Sequence, residues 1–228
     1  MPFKIALDGP SGAGKSTLAK QIAKQMNIVY VDTGAMYRSV GLFVRRKNVS
    51  PTDSAAVIAL LPEIRLDIRF EEGAQRIYLC GEAVGEEIRT PEISMYASHV
   101  SAIPEVRTFL LETQRSIART QSVIMDGRDI GTVIFPDAEV KIFLTASAEA
   151  RARRRTAELL EKGITTTYEE VLADMLTRDK NDRERTVAPA VAAEDAVLLD
   201  NSELDLDGTV LAAVAIIRAR LSERHEGL

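Results

Sequence analysis

The sequence predicts an α/β fold in which a parallel central sheet is covered by helices on both faces and carries a small antiparallel insertion. Three observations lead there. Short apolar runs alternate with longer stretches of helical period along most of the 228 residues. A glycine-rich loop separates the first apolar run from the first helical stretch. One segment, 64–70, instead alternates strictly between apolar and polar residues, as a half-buried strand does.

In order, 3–8 reads as a strand, 9–14 as a loop, 15–26 as a helix and 28–31 as a short strand. Asp32, Thr33 and Gly34 form a turn and an N-cap candidate for a helix over 34–47. A further helix covers 53–61, with Pro51 and Pro62 as punctuation. Segments 64–70 and 75–79 read as a hairpin that turns at Glu71, Glu72 and Gly73. Residues 92–119 are helical with a break near Pro104. A buried strand over 122–125 leads into Asp126, Gly127, Arg128 and Asp129, and another covers 140–144. Ser147 can cap an arginine-rich helix with Glu149 in its first turn. Residues 168–180 continue helical, 197–199 form the last strand and 207–223 a closing amphipathic helix. In such a fold ligands bind at the C-terminal ends of the strands.

Composition sets outer bounds. Hydrophobic residues at 46% and charged residues at 28% belong to an ordinary globular protein. The net charge of -5 argues against a general nucleic-acid binder. A single cysteine, Cys80, cannot form an intramolecular disulfide and reads as a small apolar filler in a strand-like segment. No zinc-type spacing occurs, and neither His99 nor His225 is assigned a catalytic role. No apolar stretch approaches the roughly 20 residues of a membrane span, and no signal peptide is read, so a cytoplasmic protein is expected. With no obvious association stripe, a monomer is expected.

Gly9, Pro10, Ser11, Gly12, Ala13, Gly14, Lys15, Ser16 fits the phosphate-loop pattern without mismatch, in the strand–loop–helix setting that gives it meaning. Glycines let backbone N–H groups turn toward phosphate oxygens, and the new helix points its positive end at them. Lys15 supplies a mobile charge to the terminal phosphates, and Ser16 can offer a hydroxyl to Mg²⁺. Asp126, ending a strand, is placed like the acid that holds the Mg²⁺ water shell in such proteins. Arginines outnumber lysines among the 29 basic residues and cluster between Arg151 and Arg185. Their planar forks match phosphate. Arg151, Arg154 and Arg155 share a helix face and repel one another unless an anion arrives, whereas Arg153 points away to solvent. Arg178, Asp182 and Arg185 fall on one face of a continuing helix, which by pattern alone reads as a salt-bridged surface.

These segments together resemble the bacterial cytidylate kinase family. DGPSGAGKST, VDTGAMYR (31–38), GEEIRTPE (85–92), DGRDIGTVIFPDA (126–138), VKIFLTAS and RDKNDRERTVAP (178–189) follow one another in order over most of the chain. Ser16 stands where some relatives carry Gly, and Thr33 where close relatives often carry Ser.

The resemblance implies a three-layer phosphate-loop fold with a monophosphate-binding lobe, to which the 64–79 hairpin belongs, and a helical lid. It divides the chain into a core (1–32, 108–146 and 186–228), the inserted lobe (33–107) and the lid (147–185). It implies Mg²⁺-dependent transfer of the ATP terminal phosphate to CMP or dCMP, in pyrimidine nucleotide metabolism. Gly9 to Thr17 with Arg151, Arg154 and Arg155 would hold ATP. Ser98, Arg107 and Asp129 would read cytosine, while Arg38, Arg128 and Arg185 hold the acceptor phosphate. Arg178 and Asp182 would approach the sugar, with Thr33 and Tyr37 beside the acceptor. Lys15, Arg128, Asp126 and Arg185 would carry the transfer, and no nucleophile or general base is assigned.

Other readings are weaker. UMP or another nucleoside monophosphate is an alternative acceptor. A guanine-nucleotide switch needs an N-K-x-D reader that does not occur. The spread of arginines disfavours a neutral acceptor such as shikimate. A nucleotide-binding protein without turnover is disfavoured by the intact Lys15 and the arginine set.

Overall fold

The computed structural model describes residues 2–71 and 74–226. The chain runs β1 (Lys4–Asp8), α1 (Lys15–Met26), β2 (Val29–Asp32), α2 (Thr33–Arg46) and α3 (Ser54–Leu60). Then come β3 (Leu66–Glu71), β4 (Ala74–Leu79), β5 (Glu82–Val84), α4 (Pro91–Val100) and α5 (Pro104–Ile117). The last part comprises β6 (Val123–Gly127), β7 (Val140–Thr145), α6 (Ala148–Glu161), α7 (Tyr168–Glu184), β8 (Val197–Asp200) and α8 (Leu206–Glu226).

Five strands pair in parallel in the order β2-β6-β1-β7-β8, and β3-β4-β5 form a separate antiparallel sheet. The parallel strands are short and apolar because both faces are covered: Ile5, Ala6 and Leu7 of β1 are all without solvent contact. On one face, Leu18 and Ile22 of α1 pack with Ala213, Val214 and Ile217 of α8 over Ile5, Leu7, Ile124 and Ile142. On the other, Ala6, Val31 and Met125 meet Ile130, Ile134 and Phe135. A further core joins α2, α4 and α5 to the small sheet through Met36, Val40, Leu79, Val100 and Leu110. A fourth, formed by Ala152, Leu159, Val171 and Met175, joins α6 to α7. Burying one Leu or Ile side chain is worth about 2 kcal/mol, so each cluster holds its elements firmly.

The strand register decides where the chemistry can lie. Asp32 of β2 is level with Asp126 of β6, and Asp8 of β1 with Gly127. Three carboxylates therefore emerge side by side at the C-terminal edge of the sheet, the edge at which open parallel sheets bind ligands.

Several expectations need correction. Asp32 ends β2 and caps α2, accepting from the Ala35 N–H at 2.8 Å, so Thr33 already lies inside the helix. β5 extends the hairpin to three strands. The Glu72–Gly73 turn lies outside the described residues. A π-helical turn over 130–134, which periodicity does not reveal, follows Asp129. α7 ends at Glu184 with Arg185 in extended conformation, so Arg178, Asp182 and Arg185 do not share one continuous helix. Cys80 is exposed at a left-handed turn (φ 52°) beyond β4, not packed as an apolar filler. Arg153 is exposed, as expected.

Gly41 of α2 lies where α4 crosses. A Cβ there would stand 3.0 Å from the Ala97 nitrogen and 3.1 Å from the Tyr96 Cβ. Gly41→Val is expected to push α4 away and to cost about 1–3 kcal/mol by overpacking. Denaturant unfolding measures this, and an unchanged midpoint would show that the helices part freely.

Candidate active site

The phosphate loop closes β1 and opens α1. Gly9, Pro10 and Ala13 lie behind the cleft wall, while Ser11, Gly12, Gly14, Lys15, Ser16 and Thr17 line it. The Lys15 ammonium folds back onto the Pro10 carbonyl at 2.6 Å. Burial, and then the nearby Arg128 guanidinium, lower its pKa to about 7. The loop's lysine is thus poised to regain charge when an anion enters.

Beneath it lies Asp126, which accepts from Ser16 Oγ at 2.7 Å and from the Tyr30 hydroxyl at 3.1 Å. Burial, and then the neighbouring Asp32 carboxylate, push its pKa up to about 6. Thr33 Oγ1 donates to the Asp126 carbonyl at 2.7 Å and so fixes the strand end. Among the described residues no group of three or more His, Cys, Asp or Glu side chains could hold a metal. What is present is one hydroxyl, one carboxylate strained by a second, and room for phosphates. That set fits Mg²⁺, which binds through one or two protein groups and substrate phosphates rather than an all-protein cage.

The other wall is an array of ion pairs. Arg107 pairs with Asp129 inside the protein, also donates to the Ser101 carbonyl at 3.1 Å, and stacks over the Tyr37 ring. Arg185 lies 3.6 Å from the same Asp129 and 3.9 Å from Asp182. Its Nη2 is buried without a hydrogen-bond partner, and burial lowers its pKa. Arg128 donates to Asp182 at 2.9 Å, and Arg38 to Asp32 at 3.0 Å. Arg178 lines the cleft nearby, its pKa lowered by burial and then by Arg128. Ser98 lines the cleft from α4. Arg38, Arg107, Arg128 and Arg185 are thus each kept beside an acid. All these residues border one open cleft of about 1420 Å³, which runs from the phosphate loop to α4.

The three arginines of α6 part company, and the expectation of mutual repulsion awaiting an anion is corrected. Arg151 is buried, donates to the carbonyls of Ala146 and Ser11 and pairs with Asp179 at 2.7 Å, so its charge is met by the protein. Arg154 donates to the Asn201 carbonyl at 2.7 Å and Arg155 to Glu158 at 2.8 Å, both at the cleft wall.

Four residues that matter here escaped the sequence reading. Asp8 accepts from the N–H groups of Ile130 and Gly131, at 2.8 and 2.7 Å, and so anchors the turn after Asp129. Burial pushes its pKa up to about 6. Gln75 of β4 clamps Asp32 through its N–H and carbonyl. Asn201 donates to the Ala13 carbonyl, and Asp179 accepts from Ser11. Only Asp8 carried a signal: it ends an apolar strand, as Asp126 does.

Comparison with known proteins matches the chain to a family. The cytidylate kinase family profile matches residues 5–219. The chain belongs to that family. Cytidylate kinase from Caldicellulosiruptor bescii is 49% identical over 205 residues, covering 90% of this chain and 91% of the relative. That from Thermosipho melanesiensis is 47% identical over 220 residues, covering 96% and 99%. Among solved structures, an uncharacterized protein from Eubacterium ventriosum superposes with a TM-score of 0.53 at 14% identity, covering 96% of this chain and 99% of that one. At that identity the likeness is one of fold.

Two measurements test the electrostatics. A polyanion beside Lys15 must raise its pKa above 7, so ADP binding at pH 8 is expected to take up a fraction of a proton. Calorimetry in two buffers of different ionisation enthalpy reads this uptake. Identical enthalpies would contradict it, and Lys15→Met should abolish it. For Asp126, a folded pKa raised from 3.8 to about 6 means that the native state binds the proton more tightly than the unfolded chain. The penalty of the ionised form is absent below about pH 4, grows as pH rises and is complete above about pH 6, at roughly 3 kcal/mol. Asp126→Asn should therefore be at least as stable as the wild type at pH 7.5 without Mg²⁺, yet lose Mg²⁺-dependent turnover. A destabilised variant would mean that the charge is well compensated.

Proposed function

We propose that the protein transfers the terminal phosphate of ATP to CMP or dCMP, giving CDP or dCDP, with Mg²⁺ as cofactor. The observation that carries this reading is the cleft with two unlike ends. One is a phosphate loop with a recessed lysine, and the other a buried Asp129 flanked by Arg107 and Arg185. A carboxylate can accept from the 4-amino group of cytosine, which uracil lacks, while Arg107 and Ser98 address the remaining polar edge of the base. Loss of such a designed hydrogen bond costs factors on the order of 10⁴ in a closed site.

The chain's own residues then have these tasks. Backbone N–H groups of 12–17 and Lys15 hold the donor phosphates, with Arg154 and Arg155 at the outer wall. Arg151 serves by shaping the loop, not by touching ATP. Ser16 and Asp126 hold Mg²⁺, which when bound supplies charge to the donor phosphates. Arg38, Arg128 and Arg185 exchange their carboxylate partners for the acceptor phosphate and screen its repulsion from the donor. Arg178 and Asp182 meet the sugar, and Thr33 and Tyr37 shape the floor beneath the acceptor. Positioning two polyanions in line while neutralising their charge is most of what phosphoryl transfer requires, so no nucleophile on the protein is needed.

In the same reading 1–32, 108–146 and 186–228 form the core, 33–107 the acceptor lobe and 147–185 a lid. The lid closes when both nucleotides are seated and limits hydrolysis of ATP by water. No helix among the described residues is long and apolar enough to cross a membrane. The reading places a monomeric enzyme in the cytoplasm, in pyrimidine nucleotide metabolism.

ADP production with CMP, dCMP, UMP and AMP tests the assignment, with CMP and dCMP expected to lead. If AMP outperforms CMP, the base reader is wrong. Asp129→Ala should lower kcat/KM for CMP by about 10³-fold or more while ATP binding is kept. An equal loss of both would give Asp129 a structural role.

A further inference from the structure

Ser11 stands at the apex of the phosphate loop, and the protein holds both of its backbone groups from outside the loop. Its N–H donates to Asp179 Oδ1 at 3.3 Å, and its carbonyl accepts from Arg151 Nη1 at 2.8 Å. These two side chains are joined to each other at 2.7 Å and are 9% and 6% exposed. Arg151 Nε is anchored on the Ala146 carbonyl at 3.0 Å, at the base of α6. One turn before Asp179 on α7, Met175 reaches Gly12, where a Cβ would lie only 2.3 Å from the methionine methyl. Gly9 and Gly12, with φ of 149° and 72°, give the loop on either side of Ser11 backbone conformations that other residues rarely adopt. α7 and Arg151 thus hold the apex from outside the loop.

The same helix reaches the acceptor wall. Asp182, one turn beyond Asp179, accepts from Arg128 at 2.9 Å, and Arg178, next to Asp179 in the chain, lines the cleft. Any movement of α7 that follows the acceptor must therefore act on Ser11, so long as the Arg151–Asp179 pair is intact.

We propose that Asp179 is a positioning residue through which α7, seated by the acceptor, sets the donor loop through Arg151 and Ser11. The inference rests on the reading of the cleft as a two-nucleotide site. Asp179 touches neither nucleotide; it couples their sites. Such coupling is reciprocal, and its usual range is about 5- to 150-fold in affinity.

The test uses the full chain with ADP and Mg²⁺ as the donor-site probe and CMP as the acceptor, a pair in which no terminal phosphate is available for transfer. Calorimetry gives the ADP Kd with and without saturating CMP for the wild type, for Asp179→Asn and for the double variant Arg151→Met/Asp179→Leu. The double variant removes both charges together, so no buried charge is left alone. CMP is expected to tighten ADP binding about fivefold or more in the wild type, and less than about twofold in both variants. The variants should also bind ADP alone several-fold more weakly and CMP alone as the wild type does. Coupling absent from the wild type, or kept in either variant, overturns the proposal. So does a double variant that binds ADP with wild-type affinity, which would leave the pair a purely structural role. CDP formation by the wild type is measured alongside. Its absence would defeat the two-nucleotide reading and the inference with it, whereas coupling kept in the variants defeats only the role of Asp179.

Discussion

Everything in this protein hangs on acids and bases buried together at one edge of a parallel sheet. β1, β2 and β6 each deliver a carboxylate to that edge, Asp8, Asp32 and Asp126. Buried charge is tolerable only when it is paired or hydrogen-bonded. Each carboxylate meets that requirement differently. Asp8 takes two backbone N–H groups, Asp32 an arginine and a helix N-terminus, and Asp126 two hydroxyls beside Lys15. The walls repeat the pattern with Arg107, Arg128 and Arg185 against Asp129 and Asp182, and Arg151 meets Asp179 behind the phosphate loop. The cleft is therefore charged almost everywhere and strongly unbalanced almost nowhere.

This balance explains the opposed shifts at its centre. Lys15 has its pKa lowered toward 7 while that of Asp126 is raised toward 6, so burial draws this central pair toward neutrality. In the proposed reading, a nucleotide polyphosphate and a divalent cation would reverse both shifts together, so that binding would restore charge in a prepared place while the arginines change partners. Fixed dipoles and charges already in position cost little to reorganise, which is the condition for electrostatic catalysis.

Much of this was legible in the chain. The phosphate loop and the Asp126–Asp129 segment announce themselves because their chemistry is local, set by residues adjacent in sequence. The alternation of 64–70 predicted the inserted antiparallel sheet, now seen as β3, β4 and β5. What stayed hidden depends on long-range pairing. Arg151 looks like part of a phosphate-seeking face until Asp179, from another helix, is seen to meet it inside the protein. The π-helical turn after Asp129 has no periodic signature, since its cause is a pair of hydrogen bonds to Asp8, more than a hundred residues away in the chain. Cys80 misled because its segment alternates up to the very residue at which the backbone turns left-handed.

Gln75 carries one more consequence. β2 is an edge strand of the parallel sheet, and such an edge offers unpaired N–H and carbonyl groups to any passing strand. Gln75 occupies both groups of Asp32, at 2.7 and 3.3 Å, with a side-chain amide in place of another strand. The antiparallel sheet thereby shields part of the border of the parallel sheet from edge-to-edge association through one glutamine.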